Sequence, residues 1–101
     1  MNEEAERMAA RILASCVLFQ AQGMHPNATG FSWGNAVRNF EEAVKAWDVA
    51  KTPVAAVAAV STALLALQIP PVIGPTRPSP EFTQGLERVV AGLTRIVNEM
   101  R

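Results

Sequence analysis

The side chains that most often carry chemistry are scarce in this chain: one histidine, one cysteine, and carboxylates grouped only as Glu3-Glu4-Glu6 and Glu41-Glu42. His25 stands beside Pro26 in a stretch that reads as a loop. A zinc site needs further His, Cys or converging carboxylates, and a general base needs an orienting partner. The surroundings of His25 offer neither, so it reads as an exposed loop residue. Cys16 lies among Ala14, Val17 and Leu18, an apolar setting that favours a buried, inert thiol over a nucleophile. Neighbouring residues on a helix point about 100° apart, so Glu41 and Glu42 do not converge on one ion. The N-terminal trio has an ordinary place in the first turn of a helix, where the dipole favours negative charge. Phosphate-cradling glycine loops of the GxGxxG or GxxxxGK type are missing. The expectation is a chain that is not an enzyme, with no metal and no cofactor.

The elements that would position these residues are helical. A first segment, about 3–22, opens with a possible cap at Asn2 and carboxylates in its first turn, and it stops at Gly23. Ala5, Ala9, Ile12, Cys16 and Phe19 recur at helical spacing and predict the buried stripe, widened by Met8, Leu13 and Val17. The stretch 24–31 holds Pro26 and Gly30 and reads as a loop, with Ser32 placed to cap the next helix. The second segment, about 33–51, is the clearest one-sided helix. Trp33, Val37, Phe40, Val44 and Trp47 share a face, while Arg38, Glu41, Glu42, Lys45 and Asp48 fall elsewhere. Glu41 and Lys45 are spaced for an ion pair along that helix. Thr52-Pro53 is a cap followed by proline at the first helical position, so a third segment, about 53–68, begins after a sharp corner. It ends before Pro70-Pro71, because the residue preceding a proline disfavours the α region. Residues 70–78 contain four prolines and a glycine and predict a stiff connector, with Val72-Ile73 holding it to the bundle. Ser79-Pro80 repeats the cap-then-proline start, and a fourth segment, about 80–101, presents Phe82, Leu86, Val89, Leu93, Ile96 and Met100 along one face. No strand pattern competes. The fold class expected is all-α: one domain over residues 1–101, a compact bundle of four helices with a Pro-rich connector before the last.

One feature of this pattern is physically odd. The third segment carries no charge from Val54 to Leu67, and a helix apolar all round has to be covered. It reads as the central helix surrounded by the other three, or as part of an interface with another chain, and the two are compatible. A membrane span is disfavoured, because the segment is near the lower length limit and diluted by alanine, Ser61, Thr62 and Gln68. Nine Lys and Arg balance nine Asp and Glu and are spread along the chain, so no basic stripe for nucleic acid forms. A single cysteine and an acidic N-terminus suit a cytoplasmic protein without a secretory signal.

The function expected is a non-enzymatic protein–protein interaction module, a small adaptor, assembly factor or inhibitor of the kind phages and mobile elements encode, occupying a surface of a larger protein. The partners expected are another protein or a second copy in a homodimer, with neither nucleic acid nor membrane. The polar surface of the second and fourth segments supplies the interaction candidates: Arg38, Glu41, Glu42, Lys45, Arg88 and Arg95. The alternative is an apolar-ligand-binding or weakly catalytic bundle with a pocket lined by Trp33, Phe40, Trp47 and Phe82. His25→Ala is expected to leave partner binding unchanged; a folded variant that loses binding would restore a chemical role to the imidazole.

Overall fold

The computed structural model describes residues 3–23, 33–68 and 80–100. They form four α-helices, α1 Glu3–Gln22, α2 Trp33–Ala50, α3 Pro53–Leu67 and α4 Pro80–Glu99. The result is an all-α four-helix bundle with no strand among the described residues. The boundaries fall within a residue or two of those the caps and prolines predict. The expected loop around His25, the Pro-rich connector, and the caps at Asn2, Ser32 and Ser79 lie outside the described residues.

The corner between α2 and α3 arises from its residues. Lys51 takes a left-handed conformation at φ 53°, and its N–H donates to the Trp47 carbonyl at 2.7 Å, closing α2. Thr52 is extended, and its Oγ1 accepts the Ala55 N–H at 3.2 Å with Pro53 in the first turn. So short a link leaves α2 and α3 antiparallel neighbours. Arg7 Nη2 donates to the Glu99 carbonyl at 2.7 Å, which sets the start of α1 beside the end of α4. Glu6 and Ala9 share a groove with Pro53, Val54 and Val57, so α1 and α3 run parallel. The four helices thus occupy the corners of a rhombus. α1 and α2 each pack on α3 and α4, α3 and α4 touch across the short diagonal, and α1 and α2 are diagonal without contact among the described residues.

The parallel helices α2 and α4 meet through rings set into glycine gaps. Trp33 and Phe40, one heptad apart, press on Gly85 and Gly92, one heptad apart on α4. A Cβ at Gly85 would fall 2.5 Å from Trp33 Nε1, and one at Gly92 would fall 2.6 Å from Phe40 Cε2. The glycines are therefore holes that admit the rings. Phe82 stacks on Trp33 with centroids 4.7 Å apart, and Val89, Leu93 and Ile96 complete the α4 face with no exposed surface. The predicted stripes of the second and fourth segments are the buried ones. Both indole N–H groups are buried without an acceptor among the described residues, at a cost of about 1–3 kcal/mol each that the surrounding packing has to exceed.

Two expectations are overturned. α3 is a corner of the bundle and not a central helix: its alanines at 56, 59, 63 and 66 are buried, while Val54 and Leu65 point to solvent. The stripe expected on α1 faces outward. Ala10, Ala14, Val17 and Ala21 are inside; Ala5, Ala9, Ile12, Cys16 and Phe19 are exposed. The reason is space. With the core occupied by the rings of α2 and the aliphatics of α4, α1 can approach α3 and α4 only on its small residues, since interhelical distance is set by side-chain size at the contact.

One substitution at two sites separates these roles. Gly92→Ala is expected to destabilise by about 1–3 kcal/mol through overpacking against Phe40. Gly34→Ala, where an added Cβ meets nothing within 4 Å, is expected to stabilise by roughly 0.5 kcal/mol through helix propensity. Denaturant unfolding of both variants gives the signs; equal effects at both sites would contradict the packing described.

Candidate docking surface

α2 and α4 carry Arg38, Glu41, Glu42, Lys45, Asp48, Glu87, Arg88, Arg95 and Glu99, with Val49 exposed among them; α1 carries Glu3, Glu4, Glu6, Arg7 and Arg11 in its first half, and α3 carries no charge. Of the six candidates read from the sequence, the structure gathers Glu41, Lys45, Arg88 and Arg95 around one groove of about 320 Å³ between α2 and α4, floored by Phe40, Val44, Ala91 and Gly92. Glu41 does not pair with Lys45 as its spacing suggests: it reaches across to Arg88 at 3.5 Å, while Lys45 pairs with Glu42 at 3.3 Å. Arg38 is exposed one turn earlier on α2.

At the far end of the groove lies a set of charges that sequence reasoning missed. Asp48 accepts from both Arg95 nitrogens, one at 3.2 Å, and from Lys51 Nζ at 3.2 Å. Glu99 accepts from Lys51 at 2.7 Å and lies 3.4 Å from Arg95. The four alternate in sign around a closed ring. Lys51 Nζ stands 4.2 Å, and the Arg95 guanidinium 5.5 Å, from the centre of the Trp47 ring beneath them. The hydrogen bonds from Arg95 and then Lys51 lower the Asp48 pKa, and those from Lys51 lower that of Glu99. Glu99 in turn raises Lys51, and Asp48 raises Arg95. The arrangement holds the ends of α2 and α4 in register. No spacing rule within one helix finds it, because Glu99 and Arg95 meet Asp48 and Lys51 only once the two helices are known to run parallel.

The α1–α3 side is the reverse. Phe19 is 80% exposed, Val54 74%, Leu65 67%, Ile12 54% and Met8 52%. These residues repeat at helical spacing along the outer faces of two adjacent helices. Between them runs a groove of about 300 Å³ lined by Ala9, Pro53, Val54 and Val57, with Glu6 its single charged residue. Cys16, expected to be buried, is exposed on this face, a consequence of the turned α1. Soluble monomers rarely leave a contiguous apolar patch of this kind uncovered.

No group of three His, Cys, Asp or Glu side chains is placed to hold a metal among the described residues, and His25 lies outside them. No helix among those residues is long and apolar enough to cross a membrane. The four aromatics expected to line a pocket are at most 5% exposed: Trp33 and Phe40 fill the gaps at Gly85 and Gly92, Phe82 packs on Trp33, and Trp47 lies beneath Lys51 and Arg95. Compared with known proteins, the chain matches no protein-family model, no curated protein and no solved structure.

The charge ring has a pH signature. Asp48 and Glu99 titrate lower in the folded chain, so their contribution is complete above the ordinary carboxylate range near pH 4 and is lost as pH falls through the lowered values. Lys51 titrates higher, so its contribution is present below its ordinary pKa, about 10.4, and is lost as pH rises through the raised value. The Tm gap between the wild-type chain and the double variant Asp48→Asn/Glu99→Gln is expected to be constant from about pH 5 to 9 and to close in acid below about pH 3. A gap unchanged at pH 2 would show that the ring contributes nothing through charge.

Proposed function

We propose that this chain is a non-enzymatic protein–protein interaction module that docks through the outer face of α1 and α3. One observation carries this reading: the large side chains Met8, Ile12, Phe19, Val54 and Leu65 project outward from two neighbouring helices while alanines fill the interior behind them. A fold that needed only to close on itself would place the large residues inside, where burying a Leu, Ile or Phe side chain gains about 1.5–3 kcal/mol. The inverted arrangement leaves that gain to be realised on association, as expected of a small adaptor, assembly factor or inhibitor.

The charged α2–α4 surface supports the same division of labour. Glu41, Glu42, Lys45, Arg88 and Arg95 are paired within the chain, Glu41 with Arg88 and Asp48 with Arg95 across α2 and α4 and Glu42 with Lys45 along α2, and they keep this side in water. Exposed ion pairs of that kind add little binding energy. A partner chosen by the apolar face needs neither nucleic acid nor membrane, and a free exposed thiol suits a reducing compartment such as the cytoplasm. The ligand-binding alternative has less support, since the rings proposed to line its pocket are buried in the contact between α2 and α4.

Phe19→Glu combined with Leu65→Glu is expected to keep the helical circular dichroism and the Tm while abolishing capture of a partner by the tagged chain. Arg38→Ala with Glu42→Ala is expected to retain that partner. The opposite pattern, with binding lost only from the α2–α4 variant, would move the docking surface to the charged face.

A further inference from the structure

We draw no further inference here: the strongest candidate, the outer apolar face of α1 and α3 from which Met8, Ile12, Phe19, Val54 and Leu65 project, carries nothing beyond the docking role already proposed, because nothing in the structure shows what covers it.

Discussion

The parallel contact of α2 with α4 governs the rest of the bundle. Aromatic rings on every seventh residue of α2 enter glycine gaps at the same interval on α4, and the series ends where Trp47 meets the charge ring of Asp48, Lys51, Arg95 and Glu99. Rings that large, packed that closely, occupy most of the interior. What remains for α1 and α3 is met mainly by alanine and valine, with Leu67 in the core and Leu13, Leu18 and Leu64 at its edge, and Met8, Ile12, Phe19, Val54 and Leu65 point away. The apolar outer face is the consequence of how the core is filled.

That consequence links packing to function. The ion pairs bridging α2 and α4 stabilise register and keep one side of the molecule hydrated, and α1 and α3 supply a side that gains by being covered. Under the proposed docking role, stability and recognition are carried by different helices: changes to Phe19, Ile12 or Leu65 are expected to act on association, and changes to Gly85, Gly92 or the rings they receive on folding.

How much of this was legible in the sequence varied by helix, and the reasons are physical. The buried faces of α2 and α4 were legible, because aromatics and charges alternate around them with helical period and only one rotation buries the former without the latter. The corner at Thr52-Pro53 was legible because cap and proline both act locally. α1 was not, because apolar residues lie nearly all round it: Ile12 and Phe19 outweigh Ala10 and Ala14 on any scale of hydrophobicity, and size at the contact, a tertiary property, decided the rotation. The exposure of Cys16 came from that same rotation. The role of Gly85 and Gly92 was hidden for a similar reason, since a glycine within a helix signals a close approach only once the ring that fills it is known. Four of the six interaction candidates line one groove, but the partners that pair with them, and the ring formed by Asp48, Lys51 and Glu99, depend on which helices run side by side.

The rotation of α1 is the claim on which the docking face stands, and one comparison of unfolding free energies reaches it directly. In denaturant titrations at protein concentrations low enough to populate single chains, Phe19→Ala is expected to change stability by no more than about 0.5 kcal/mol, as for a surface site, and Ala14→Leu to cost about 1–3 kcal/mol through overpacking. A loss of about 3–5 kcal/mol from Phe19→Ala, the value of a buried ring, with Ala14→Leu tolerated, would place the stripe of Ile12 and Phe19 inside the bundle and remove the surface from which the function is argued.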